Sequence, residues 1–232
     1  IESVELSGLE QLTVNASGTE KNAMNPKNLY YDLNVREISS SAKTLFNLVP
    51  KNTIPSNIAL PSYFKIAGTA KGTTKIVNTN LKLTSTLGNA AIRANVNMTR
   101  KNAEKYDFLA NLQNLQIGKI IQNKDVGPIT GQIAVKGQSF DPNTANADLK
   151  GNIASVGYGG YTYQNMALHG KVNRGAYNIN LDSKDPNANL KLVASGVFNE
   201  KNPTIKVKGK INKLDLNKLG FYQDPMIVAG EI

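Results

Sequence analysis

Cysteine and tryptophan are absent from this chain of 232 residues, and histidine occurs once, at His169. Without cysteine there is no disulfide framework, no thiolate nucleophile and no thiolate-bound zinc or iron–sulfur cluster. One histidine supports neither a multi-histidine metal site nor a histidine pair. Aromatic residues are 6% of the chain against 40% hydrophobic, so a core can form, but a thin, aliphatic one. Long apolar runs are missing as well. The longest, Met226 to Ala229, is far shorter than the ~20 residues a membrane helix needs. With so little catalytic equipment the chain is expected to be no enzyme and to need no cofactor or metal.

Arginine is scarce in a basic chain. Lys and Arg number 27 against 17 Asp and Glu, a net charge of +10, yet the arginines are only Arg36, Arg93, Arg100 and Arg174. Nucleic-acid readers lean on arginine for bidentate contacts to phosphate and guanine. Here lysines stand singly, with no basic block interleaved with aromatics, so no nucleic-acid partner is expected. Lysine on the wet face of a sheet, where it also guards exposed edges, explains the charge; attraction to anionic lipid headgroups is the other reading. The chain opens Ile1-Glu2-Ser3 without a signal-peptide pattern. It is expected to be a segment of a longer protein whose targeting signal or membrane anchor lies outside it.

What the chain does have is asparagine, 30 in all, which favours turns over helices, and internal repetition. Residues 111–133, NLQNLQIGKIIQNKDVGPITGQI, align without a gap on residues 210–232, KINKLDLNKLGFYQDPMIVAGEI, at an offset of 99. Leu112 falls on Ile211, Leu115 on Leu214, Gly131 on Gly230. A Lys-Asn pair recurs at Lys21-Asn22, Lys101-Asn102 and Lys201-Asn202, each between two strand-like runs and each followed by a segment with apolar residues spaced φ-x-x-φ-x-φ. The units run approximately over 1–65, 66–128 and 129–227, and a further repeat starts at 228. Together they form one elongated array.

Strict alternation supplies the local geometry. Ile205, Val207, Gly209 and Ile211 share one parity while Lys206, Lys208 and Lys210 take the other. The same pattern recurs at Leu81/Leu83, Ile133/Val135, Leu149/Gly151/Ile153, Met166/Leu168/Gly170/Val172, Tyr177/Ile179/Leu181 and Leu190/Leu192/Ala194. A period of two over six to ten residues marks a half-buried strand. Asp141-Pro142-Asn143 and Asp185-Pro186-Asn187 read as turns. The expected fold is all-β, a long antiparallel meander. One short helix is expected near 40–49, after an N-capping serine and before Pro50, with short turns or helices at 117–120 and 216–220 in equivalent places. An exposed loop should run from Pro50 to Pro61.

Candidate chemical motifs do not hold up. Asp182, Asp185, Asn187 and Asn189 lack the spacing, central glycine and terminal glutamate of a calcium loop, and suit a hairpin better. Gly157-Tyr158-Gly159-Gly160 lacks the Gly-Lys-Ser/Thr ending of a phosphate loop. Asn15-Ala16-Ser17 and Asn97-Met98-Thr99 match the glycosylation tripeptide, a common chance occurrence. His169 has no Ser or Asp arranged beside it and is expected to face water. No acid–base or nucleophilic constellation remains.

The apolar face itself remains. A one-sided sheet covers that face by closure, by a second layer or with a ligand. Leu81, Leu83, Ile133, Val135, Leu149, Ile153, Met166, Leu168, Val172, Ile179, Leu181, Leu190, Leu192, Ile205, Val207 and Ile211 are the candidate lining of a long groove able to hold acyl chains. A dry structural core, as in an adhesin-like surface stalk, is the alternative. An outer-membrane barrel fragment also alternates, but the aromatic girdles of such barrels are not evident in the sequence.

The stretches VGYGGYTYQNMALHGKV (156–172), YNINLDSKDPNANLKLVASGVF (177–198) and IKVKGKINKLDLNKLGF (205–221) resemble the TamB family of translocation and assembly module proteins, which belong with the AsmA-like bridge proteins. The features carrying the likeness are the Gly-Tyr-x-Tyr-x-Asn strand, the Asp-Pro-Asn hairpin, the Asn-x-Lys-x-Pro turn and the closing Leu-Asp-Leu-x-Lys-Leu. The likeness is best over 129–232, and the first 60 residues match less well. It implies a β-taco, a U-shaped sheet with an apolar interior. It also implies a periplasmic location, anchored to the inner membrane by a helix outside this segment, with an Omp85-type outer-membrane partner. The implied role is to carry phospholipid between the membranes or to assist outer-membrane protein assembly.

Overall fold

The structure, a computed structural model, describes residues 4–7, 12–48, 55–198 and 205–232. Its strands are β1 (Val4–Ser7), β2 (Thr13–Lys21), β3 (Tyr30–Ser41), β4 (Tyr63–Thr73), β5 (Ile76–Ser85), β6 (Gly88–Asn97) and β7 (Lys105–Leu115). They continue as β8 (Val126–Gln138), β9 (Asn146–Tyr158), β10 (Tyr161–Asn173), β11 (Ala176–Lys184), β12 (Ala188–Val197), β13 (Lys206–Asp215) and β14 (Ile227–Glu231). All fourteen form one antiparallel sheet, and their order in space is their order in sequence. The sheet is curved and open, with β1 and β14 as its two edges. At about 4.8 Å between neighbours the array extends roughly 60 Å across its strands. The helices are α1 (Ala42–Leu48) and α2 (Ile117–Ile120), plus one 3₁₀ turn at Pro26–Asn28. The accessible surface is 15079 Å², where surface scaling gives about 10,000 Å² for a compact monomer of this size. The excess is what a single layer should show, and among the described residues all the strands lie in one sheet.

The Lys-Asn turns have a physical cause. Asn22 and Asn102 sit at φ 59° and 58°, the left-handed region that asparagine tolerates better than most L-residues. Lys201-Asn202, the third pair, lies outside the described residues. Arg174-Gly175 and Gly159-Gly160 close two-residue hairpins with both central residues at positive φ, as the right-handed twist of the flanking strands requires.

The φ-x-x-φ segments are β-bulges, and they recur in register. On β3 Val35 pairs with Gly68 and Ile38 with Ile66; on β7 Leu112 pairs with Gly131 and Leu115 with Ile129; on β13 Ile211 pairs with Gly230 and Leu214 with Val228. Each time three residues on one strand step past two on the next, and glycine stands opposite the first apolar residue. The last two cases are the pair related by the 99-residue offset. A bulge sharpens the bend and twist of its strand, so these three points help set the curvature.

After each bulge the chain makes a short helix or turn at the same edge of the sheet: α1, α2, and a turn at 216–220 that buries Leu219. Ser41 caps α1, its Oγ accepting the Thr44 N–H at 3.1 Å. Val49 and Pro50, which should end that helix, lie outside the described residues. The loop expected to be exposed up to Pro61 is so only at Pro55, Ser56 and Asn57. Ile58 to Pro61 are half-buried, because the Ala59 N–H donates to the Ile120 carbonyl at 2.7 Å and Gln122 Nε2 to the Ser56 carbonyl at 2.9 Å.

Candidate functional site

Residues directly opposed in an antiparallel ladder point to the same face, so register can be read across the whole sheet. One row runs Leu83, Ala90, Leu112, Gly131, Ile153, Met166, Ser183, Leu190, Ile211, Gly230, each residue the ladder partner of the next. The row beside it runs Leu81, Ile92, Ala110, Ile133, Gly151, Leu168, Leu181, Leu192, Gly209. A third runs Ala94, Phe108, Val135, Leu149, Gly170, Ile179, Ala194, Val207. The fourth carries Val96, Tyr106, Gly137, Ala147, Val172, Tyr177, Gly196. These rows bring every candidate lining residue onto one face except Ile205, which stands just before β13 and is 60% exposed. Upstream, Ile66, Ile38 and Val14 continue the first row through the β3 bulge.

Gly151 and Gly170 stand opposite Leu168 and Leu149 on this face, and there is a steric reason for the match. A Cβ on Gly151 would come 3.4 Å from the Leu168 Cβ, and one on Gly170 would come 3.3 Å from the Leu149 Cβ. The aliphatic side chains lean over the glycines and smooth the surface. Most of the face is half-buried, Ile153 and Leu190 are buried, and Val207 near the β14 edge is 44% exposed.

A feature beyond the aliphatic parity is the aromatic rim. Tyr31 pairs with Gly72, Tyr106 with Gly137 and Tyr177 with Gly196, all on the apolar face at the edge where the Lys-Asn turns lie. Tyr106 stacks on Phe140 with ring centres 4.9 Å apart, and Tyr177 meets Phe198 at 4.8 Å. The sequence carries the tyrosines and glycines but no signal that sets them opposite each other, because ladder register decides that pairing.

The opposite face is polar. Asp107, Lys136, Asp148 and Lys171 follow one another across β7 to β10, so charges of opposite sign alternate. Lys136 stands 3.9 Å from Asp107 and Lys171 4.0 Å from Asp148. They line an open trough of about 770 Å³ together with Asn78, Asn95, Asn97, Gln138, Asn146 and Asn173. An open recess thus lies on the polar face, where alternation alone indicated only solvated lysine. Lys206, Lys208 and Lys210 are exposed on this face, as is His169, which pairs with Lys150 and Asn180. Lys65 donates to Glu37 at 2.5 Å and Lys71 to Asp32 at 2.6 Å. The bond from Lys65 holds the Glu37 carboxyl below its ordinary range, and the two carboxylates raise their lysines.

Asp185 is wholly buried, and its carboxylate is fully engaged. Oδ1 accepts from the Tyr161 hydroxyl at 2.9 Å and from the N–H groups of Asn187 and Ala188; Oδ2 accepts the Gln164 N–H at 2.8 Å. It ties the β11–β12 hairpin to β10, the turn role expected of Asp-Pro-Asn. Burial pushes the Tyr161 and Tyr163 phenols up. Among the described residues no cluster of three or more His, Asp or Glu could hold a metal ion, and no helix is long and apolar enough to cross a membrane.

The site is therefore a surface, about ten strands of apolar face with an aromatic rim and a charged reverse side. No family model, curated protein or solved structure matches the chain.

Proposed function

We propose that this chain is a segment of a bridge that carries phospholipid between two membranes, with acyl chains lying along its apolar face. The observation that carries the reading is the row from Leu83 to Gly230, aliphatic or glycine at nearly every step, with no second layer of strands over it among the described residues. Each CH₂ leaving water gains about 0.8 kcal/mol, so acyl chains have a strong reason to occupy such a surface. One leaflet is about half of a ~30 Å hydrocarbon core, and the roughly 60 Å array therefore accommodates several chains in succession. Uniformity matters for movement, because one deep site would trap lipid while repeated shallow ones pass it on. Headgroups stay at the open margin, within reach of lysine. The likeness to the TamB family extends the reading to the periplasm, to an inner-membrane anchor outside this segment, and to an Omp85-type partner or a role in outer-membrane protein assembly.

The test is lipid extraction from the purified protein followed by mass spectrometry, with photocrosslinking of acyl chains from probes at Leu192 and Val207. Co-purified phospholipid crosslinked at both positions is expected. A clean absence of lipid and of crosslinks would leave a dry structural β-repeat instead.

A further inference from the structure

The trough on the polar face runs into a second recess at the margin where the Lys-Asn turns lie. This one holds about 430 Å³ and is lined by Asn97, Thr99, Arg100, Ala103, Lys105 and Gln138. Asn97, Lys105 and Gln138 line both. The charge balance changes between the two. In the trough Lys136 pairs with Asp107 and Asp148, and Lys171 with Asp148. Lys105 pairs instead with Asn97 and Gln138, and among the described residues no carboxylate lies within 4.0 Å of Lys105 or Arg100. The acids on the same stretch are turned to other groups: Asp107 stands 3.9 Å from Lys136, and Glu104 Oε1 accepts the Asn102 N–H at 2.9 Å. Asn97 Oδ1 accepts both the Thr99 N–H at 3.0 Å and the Thr99 hydroxyl at 2.6 Å. Its NH₂ group and the side-chain amide of Gln138 bond to nothing among the described residues. The recess is thus lined by donors without acceptors.

The repeat shows that the fold does not require these cations. Glu20 and Glu200 precede the other two Lys-Asn pairs, where Arg100 precedes this one. Lys105 stands before the rim tyrosine Tyr106, but Tyr30 stands before Tyr31 and Ala176 before Tyr177. One unit has therefore acquired an unneutralised Arg and Lys at positions that its sister units fill with acidic or neutral residues.

We propose that this recess is a binding site for a phosphate group. The Arg100 guanidinium grips two phosphate oxygens with its planar fork, Lys105 adds a point charge, and the Asn97 and Gln138 amides donate to the remaining oxygens. Two carriers can bring that group. Tyr106 follows Lys105 and faces the apolar side of the same margin, so a phospholipid on that side can turn its headgroup over the edge into the recess. A soluble phosphate ester enters from solvent. The site stands without lipid transfer; only the lipid as carrier rests on that reading.

The test is an NMR titration of the isotope-labelled chain with glycerol phosphate. Saturable shifts of the Arg100 guanidinium and Gln138 amide signals are expected, with none from glycerol. Arg100→Glu should weaken binding roughly tenfold or more, the loss of a charge-assisted bond, and Lys105→Ala should weaken it less. Both should keep the circular dichroism of the parent, since the sister units carry Glu and Ala at these places. Lys208→Glu makes the same change in net charge on an exposed strand and should leave the affinity within about twofold, because distant surface charges are screened. No saturable shift, or equal losses in Arg100→Glu and Lys208→Glu, would overturn the proposal. Dihexanoyl phosphatidylglycerol, kept below its micellar concentration, identifies the carrier. A lipid headgroup is supported if it displaces glycerol phosphate and binds more tightly than its own deacylated headgroup. Equal affinity of the two supports the phosphate site with a soluble ester as carrier. Lipid that binds without displacing glycerol phosphate overturns the headgroup as carrier and leaves lipid on the apolar face.

Discussion

Gly137 lies directly across the ladder from Tyr106, and a Cβ on it would stand 2.6 Å from the phenol oxygen. The ring occupies the space that a side chain would need. Gly137→Val should evict Tyr106 from its stack on Phe140 and break its hydrogen bond to the Ser139 carbonyl. Overpacking of this kind costs about 1–3 kcal/mol. A lower urea midpoint with a diminished near-ultraviolet tyrosine signal is the expected result; an unchanged midpoint would mean the rim is not packed.

Val207→Asp places a carboxylate on the apolar face where exposure is already 44%. The strand should survive, so the β signal in circular dichroism persists. Lipid co-purification and transfer should fall sharply, because an acyl chain cannot solvate the charge. Transfer at the original rate with the fold intact would remove Val207 from the path.

Asp185→Ala removes the acceptor of four donors at once, Tyr161 Oη–H and three backbone N–H groups. Unsatisfied buried donors cost about 1–3 kcal/mol each, so a loss of at least ~3 kcal/mol in urea unfolding is expected. Asp185→Asn keeps the shape and part of the bonding, and should lose less. Equal losses would mean that the charge, not the bonding pattern, matters.

Glu37 should titrate below its ordinary value of 4.5, because Lys65 bonds its ionised form. A depressed carboxylate contributes stability that is present above its unfolded pKa and is lost as pH falls through the folded one. The window therefore opens near 4.5 and closes below it. Both groups are exposed, so the effect on global stability is slight and screened by salt. Carboxyl NMR titration should show the Glu37 midpoint moving back up in Lys65→Met; a midpoint that stays put would assign the depression to another donor.

Asn102 at φ 58° should accept glycine readily and reject valine. The left-handed conformation costs an L-residue about 1–2 kcal/mol and a β-branched one more. Asn102→Val should lower the thermal midpoint while Asn102→Gly leaves it near the original, and the same ordering is expected at Asn22.

Period-two parity made the apolar face legible because a sheet transmits it without loss: once Leu81 meets Ile92, every later partner is determined by pairing. The 99-residue offset likewise pointed to the bulges at Leu112–Leu115 and Ile211–Leu214, since both segments keep the same one extra residue between apolar positions. Lys-Asn flagged left-handed turns because asparagine tolerates that region better than most L-residues. Pairings between residues some 20 to 40 positions apart were not legible. Tyr106 over Gly137 and the trough across Asp107, Lys136, Asp148 and Lys171 depend on the register between neighbouring strands, which alternation leaves open in steps of two residues. The Ala59 to Ile120 bond joins two segments far apart in sequence and has no local signal at all.

The identity of spatial and sequential strand order has a kinetic side. Every strand finds its partner in the segment just made, so loop closure stays short and the array can assemble progressively from either end or from any hairpin. Strand pairing joins only nearest neighbours, and adding or deleting a pair of strands at a hairpin keeps the pairing of the other strands. The distance such a scaffold spans is then an evolutionary variable, set by duplication in steps of about 10 Å per strand pair.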